Sequence, residues 1–234
     1  MIPLKKSLSS SIGRKYLMGL TGIFLVVFLI LHLAGNAFLY FPDSAVFNAY
    51  AFKLESLGTL KLVGEIGLIA LFGLHIVSAI LVTKQNFAAR PQKYHTVATK
   101  SGPSKANLSS KYMYISGTVL LIFVILHVKH FTLGPGMDAG YVAKLNGEDV
   151  RDLHRLVVEA FREPLYVGLY TAVLIFMGFH VRHGFWSAFQ SLGAMNPRLS
   201  KPIYCASVII AIVLAIGFIG IPLWIYFDFL GVYK

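Results

Sequence analysis

The chain has 234 residues, 56% of them hydrophobic and 13% charged, and a mean hydropathy of +0.70, which lies far outside the globular norm and excludes an ordinary soluble domain. A formal charge of +11 and a pI near 9.7 raise nucleic-acid binding, but the basic residues sit on short segments beside apolar runs, which excludes that role. Cys205 is the single cysteine, so the chain builds neither an iron–sulfur cluster nor a zinc-thiolate site alone.

A spanning helix needs about 20 apolar residues, and five uncharged stretches of that order appear, near 17–40, 66–83, 112–128, 164–181 and 203–227. The first follows the basic segment Met1–Tyr16. That arrangement resembles a signal peptide, but the run is too long and lacks a small-residue cleavage site, so a helix is expected over 17–40. The second helix is expected over 62–83. The connection Lys84–Lys111 is polar and broken by Lys100-Ser101-Gly102-Pro103-Ser104, and reads as a surface loop. The third helix is expected over 112–133. After it, Gly134–Glu163 opens on Gly134-Pro135-Gly136 and closes on an amphipathic stretch, Val150–Arg162, read as an interfacial helix. Pro164 then starts a fourth helix, 164–186, proline being well tolerated at that position. A fifth covers 203–227. The expectation is an all-α integral membrane protein, one membrane domain over 1–234 built as a five-helix bundle.

Short cytoplasmic loops are rich in Lys and Arg. Lys5, Lys6, Arg14, Lys15, Lys84, Arg90, Lys93, Lys100, Lys105, Lys111, Arg182, Arg198 and Lys201 fall on one side with no acid among them, while all ten Asp/Glu fall on the other. The N-terminus is therefore expected inside and the C-terminus outside. The inner charge serves topology and contact with anionic lipid, or the docking of a soluble partner.

Ionisable side chains inside a membrane are expensive and invite a functional explanation. The first four helices each carry one histidine deep in the apolar run: His32, His75, His127 and His180. All lie C-terminal to their helix centres, and successive helices run in opposite directions. At 1.5 Å per residue, His32 and His127 fall about 5–8 Å outward and His75 and His180 about 3–8 Å inward, so two pairs are expected roughly 11 Å apart in depth. A single such histidine can be a neutral imidazole bonded to a neighbouring helix; four in this arrangement point to cofactor ligands.

Haem iron accepts paired imidazoles, and apolar helix faces solvate the macrocycle. With both axial positions filled, such a haem transfers electrons. A bare metal ion needs three or four ligands at one depth, and proton relays usually pair histidine with Asp or Glu, absent from the middle of these helices. Gly35, Gly73 and Gly178, close to the histidines, would let a flat ring approach the backbone, or serve ordinary small-residue packing. His130 and His183, three residues after His127 and His180, are alternative ligands. Their neighbours Lys129 and Arg182 place them nearer the interface.

Along nearly its whole length the chain resembles the five-helix, two-haem cytochrome b membrane anchor of succinate dehydrogenases and quinol:fumarate reductases. The segments that carry the resemblance are Thr21-Gly22 with Leu29–Asn36 (LILHLAGN), Gly73–Asn86 (GLHIVSAILVTKQN), Ile122–Leu133 (IFVILHVKHFTL) and Phe179–Gly193 (FHVRHGFWSAFQSLG). The resemblance implies an outer haem b on His32 and His127 and an inner haem b on His75 and His180, which selects His127 and His180 from their doublets. It further implies a flavoprotein and an iron–sulfur subunit docked on the inner face, with succinate oxidised there. Electrons would pass through this chain, which carries no flavin or iron–sulfur cluster, to a quinone, most often menaquinone, in the bacterial cytoplasmic membrane. By the same resemblance Glu55 would assist proton transfer at the quinone, against the alternative of a surface carboxylate. Related fumarate reductases have a glutamate where this chain has Gly178, which favours the dehydrogenase direction. Haem propionates need cations near the membrane edge: Arg14, Lys111 and Arg182 are candidates inside, and Lys129, Arg155 and Arg162 outside. Rival readings are the cytochrome b subunit of a hydrogenase or formate dehydrogenase, and a haem-free transporter.

Overall fold

The structure, a computed structural model, describes residues 10–41, 43–89, 112–228 and 231. Among them, five helices are long and apolar enough to cross a membrane: Ser11–Tyr40, Thr59–Ala88, Met113–Thr132, Pro164–Ser191 and Ser200–Phe227. The chain is a multi-pass, helical membrane protein.

Each boundary has a local cause. Helix α1 (Ser11–Asn36) begins where the Ser10 hydroxyl accepts the Gly13 amide proton at 3.0 Å, satisfying one orphan donor of the first turn. It tightens into a 3-10 turn at Ala37–Tyr40 and gives way to an extended Phe41, the conformation favoured before proline. Helix α2 (Ser44–Glu55) is capped by Asp43, whose carboxylate accepts from the Ala45 amide at 2.9 Å. Gly58, at φ +51°, turns the chain into α3 (Thr59–Ala88). Helix α4 (Met113–His127) runs into a single π turn, Val128–Thr132. Helix α5 (Leu153–Arg162) is capped by Asp152, which accepts from Arg155 N–H at 3.0 Å, and α6 (Pro164–Ser191) begins on its proline. The turn into α7 (Ser200–Phe227) is held by Asn196, whose side-chain oxygen accepts from Arg198 and Leu199 N–H, both at 3.0 Å. Helices α3 and α6 extend past the uncharged stretches, through Lys84 and Arg182, because long basic side chains can carry their charge away from the apolar zone while the helix continues.

The chain divides into two compact units. The first comprises 10–28, 66–89, 112–117 and 179–211. Its packing uses small residues: a Cβ on Gly19 would stand 3.3 Å from the Ala188 backbone, a close approach of helices typical of membrane packing. The second comprises 29–41, 43–65, 118–178, 212–228 and 231. Its core gathers Leu39, Phe47, Val157, Val158, Phe161, Val167, Ile221 and Ile225.

The connection 134–163 is more structured than its sequence suggested. Strands β1 (Val142–Leu145) and β2 (Glu148–Arg151) pair antiparallel with Val142 opposite Arg151 and Leu145 opposite Glu148. Asn146 and Gly147 between them have φ of 51° and 88°, the two positive values a tight hairpin turn requires. The amphipathic stretch expected over Val150–Arg162 is therefore divided: Val150 and Arg151 belong to β2, and Asp152 starts the helix. Helix α5 buries Leu156, Val157, Ala160 and Phe161. Asn48, 2% exposed, donates to Asp152 at 2.8 Å and accepts from His154 N–H at 2.9 Å, so one side chain ties α2 to the start of α5. Arg151 donates to the carbonyls of Phe131 (2.9 Å) and Pro135 (3.0 Å). It thus satisfies carbonyls left open where α4 ends, and a cation suits that end of the helix dipole.

Candidate functional site: two histidine pairs

In the second unit, the π turn ends α4 with the His127 ring facing His32, their centroids 5.8 Å apart and their planes at 86°. Aromatic rings wall this pair: Phe218 lies 5.7 Å from His32, and Phe123 and Phe131 lie 5.6 and 5.4 Å from His127. The Tyr170 hydroxyl stands 3.2 Å from His127 Nδ1. Asn36 donates to the His32 carbonyl at 2.8 Å and sets its amide nitrogen 3.4 Å from His32 Nδ1 and 3.5 Å from His32 Nε2. His130 is turned elsewhere, with its Nδ1 2.5 Å from the Tyr166 hydroxyl.

The first unit holds His75 and His180. His75 Nδ1 lies 3.2 Å from the Met18 carbonyl and 3.3 Å from Thr21 Oγ1. A carbonyl only accepts, so Nδ1 carries the proton and the lone pair stays on Nε2. Thr21 Oγ1 gives its own proton to the Leu17 carbonyl at 2.7 Å, and is left to accept. His180 shares the hydroxyl without the carbonyl: its Nδ1 is 3.0 Å from Ser116 Oγ, which itself donates to the Met113 carbonyl at 3.0 Å. Both rings rest on glycine. A Cβ on Gly22 would stand 3.3 Å from His75 Cε1, and one on Gly117 3.5 Å from His180 Cε1. His183, by contrast, packs on Trp186 at 5.3 Å and has a buried Nδ1 with no hydrogen-bond partner.

The donor set suits an iron that brings its own equatorial ligands. A metal–imidazole bond of about 2 Å and a nitrogen roughly 1.2 Å from its ring centre put the centroids of two opposed imidazoles roughly 6.4 Å apart, about half an ångström beyond the 5.8 Å of His32 and His127. Among the described residues no third His, Cys, Asp or Glu joins either pair, whereas a bare ion needs three or four ligands. The Nδ1 contacts of His75, His127 and His180 are of the kind that gives outer support to a metal-bound histidine.

The remaining candidates are not gathered at these pairs. Glu55, at the end of α2, is largely exposed and pairs with Lys61 at 2.6 Å. Arg155 is held by Glu159 at 2.7 Å, and Arg182 donates to the Tyr204 hydroxyl at 2.9 Å. Lys129 and Arg162 are exposed, Arg14 lies in the first turn of α1, and Lys111 is outside the described residues. Gly35 serves tertiary packing, since any Cβ there would overlap the Tyr50 hydroxyl, and Gly73 faces open space.

Sequence reasoning missed Ser116-Gly117, and the signal for it was present. Residues 21–32 (TGIFLVVFLILH) and 116–127 (SGTVLLIFVILH) align without a gap and are identical at six of twelve positions, ending on His32 and His127. Comparison of the chain with protein-family models, curated proteins and solved structures found no match.

Proposed function

We propose that this chain is a dihaem cytochrome b, the membrane anchor and quinone-reactive subunit of a succinate:quinone oxidoreductase in a bacterial cytoplasmic membrane. The observation that carries the haem assignment is the pair of facing imidazoles 5.8 Å apart, together with a second pair whose Nδ1 atoms are held by oxygens. His32 and His127 would hold one haem and His75 and His180 the other, and each bound group would exchange one electron at its iron. The chain's own residues orient the four rings, keep Nε2 unprotonated on His75, and surround the His32–His127 pair with aromatic side chains that exclude water. The succinate-oxidising partners and the quinone rest on the resemblance of the histidine-bearing segments. The absence of acids from the basic side supports an N-terminus inside, with the flavoprotein and iron–sulfur subunits docked there.

A reduced-minus-oxidised optical spectrum of the purified chain is expected to show b-type haem at two per chain. Absence of that signal would sink the proposal. Copurification with a succinate-oxidising flavoprotein separates this enzyme from a hydrogenase or formate dehydrogenase.

A further inference from the structure

We infer that Thr21-Gly22 and Ser116-Gly117 are two copies of one positioning device, a hydroxyl–glycine seat that fixes the rotation and proton placement of His75 and His180; its effect on iron rests on the two-haem reading. Thr21 is 3% and Ser116 8% exposed. Each hydroxyl already has a partner for its own proton on a carbonyl of its own helix, which is how such side chains satisfy themselves in helices. The second contact, 3.3 Å to His75 Nδ1 and 3.0 Å to His180 Nδ1, adds nothing the hydroxyl requires. It serves the imidazole. The glycine beside each hydroxyl lies against the ring: a Cβ on Gly22 would press on His75 Cε1 at 3.3 Å, and one on Gly117 would meet His180 Cε1 at an ordinary contact of 3.5 Å.

The repetition argues against coincidence. Each seat precedes a histidine of the other pair by eleven residues, Thr21 before His32 and Ser116 before His127. Eleven steps of about 100° return to within roughly 20° of the same face. Helices α1 and α4 thus each present, on one face, a ligand for one pair and a seat for the other.

A proton held on Nδ1 by an oxygen makes Nε2 a stronger donor, which favours the more highly charged ferric iron. Removing the oxygen should make the iron easier to reduce. Redox titration of the full-length chain in nanodiscs tests this with Thr21→Val and Ser116→Ala, and with Thr21→Ser and Ser116→Thr as hydroxyl-keeping controls. Each hydroxyl-free variant is expected to raise the ferrous-to-ferric ratio of one haem about threefold to tenfold at fixed ambient potential, a tenfold change being about 59 mV for one electron. The other haem and both controls should be unmoved. A parallel readout needs no haem: nitrogen-15 NMR of histidine-labelled chain should show His75 and His180 with the proton on Nδ1, and Ser116→Ala should mix in the Nε2 form at His180, whereas in Thr21→Val the Met18 carbonyl still accepts from His75 Nδ1 and only its resonance should shift. The inference is overturned if the hydroxyl-free variants retain both haems at unchanged potentials, or if the NMR pattern is the same with and without the hydroxyls. A chain that binds no haem yet shows the hydroxyl-dependent Nδ1 form refutes the cytochrome reading and upholds the seats.

Discussion

Replacing His127 with alanine should reduce bound haem from two per chain to one, whereas replacing His130 should leave both. The two histidines are three residues apart, and on an ideal α-helix three steps turn through about 300°, keeping them within roughly 60° of one face. The π turn at Val128–Thr132 holds more residues per turn than an α-helix. The rotation is therefore smaller and carries His130 further from the face of His127. It ends 2.5 Å from the Tyr166 hydroxyl, while His127 stands 5.8 Å from the His32 ring. Loss of an outer support to a metal ligand costs about 10–100-fold in affinity, and loss of the ligand itself should cost more, enough to empty that pair on purification. The assay is haem per protein by alkaline pyridine extraction, with a difference spectrum to show that the remaining haem is intact. If His130→Ala loses a haem while His127→Ala keeps two, the assignment from the π turn is wrong.

Gly22→Leu should empty the other pair selectively, because the first added atom already meets His75 Cε1 at 3.3 Å and Nδ1 at 3.6 Å, so the ring must shift; the same haem count reads the result. Asn48→Leu should destabilise the contact between α2 and α5 by about 1–3 kcal/mol, the cost of leaving a buried donor such as His154 N–H without a partner, and faster proteolysis within 134–163 would report it. The region should also weaken on acidification. Burial lowers the pKa of His154 below its usual 6.5, an effect only partly offset by Asp152 and Asp43. A group whose folded pKa is depressed contributes its stability above the unfolded value and loses it as pH falls through the folded one. Thermal unfolding followed by tryptophan fluorescence should therefore hold steady above about pH 7 and fall below it, and His154→Phe should flatten the dependence.

The spanning helices were legible because their signal is long and compositional: no charge interrupts 203–227 or the mid-parts of the other four. The closeness of His32 and His127 was legible because helix direction alternates, a constraint that needs no side-chain detail. The hairpin was less visible. Asn146-Gly147 is a strong turn signal, but its strands are four residues each and carry Lys144, Glu148, Asp149 and Arg151, which hides the alternation of a half-buried strand. Helix α2 escaped for a similar reason, since its capping Asp43 stands in a short polar connection. Gly35 shows the limit of local reasoning. Its neighbour His32 suggested room for a flat ring, yet the space belongs to Tyr50, fifteen residues away and brought back by the turn between α1 and α2. Arg155 and Arg182 could not be ranked as propionate partners from sequence, because their claims depend on Glu159 and Tyr204.

The hydrogen bonds at His75 also bear on whether this pair handles electrons or protons. A relay histidine takes a proton at one nitrogen and releases it from the other, so both must face groups that can exchange. His75 Nδ1 faces the Met18 carbonyl, which has no proton to give, and Thr21 Oγ1, whose proton is held by the Leu17 carbonyl. Neither passes a proton onward, because a backbone carbonyl does not ionise and the threonine hydroxyl would have to break its 2.7 Å bond to do so. At His180 the Ser116 hydroxyl stands 3.0 Å from both Nδ1 and the Met113 carbonyl. With Nδ1 of His75 closed to exchange, its Nε2 is suited to a permanent bond and poorly suited to a proton cycle, which supports a cytochrome over a proton-coupled transporter.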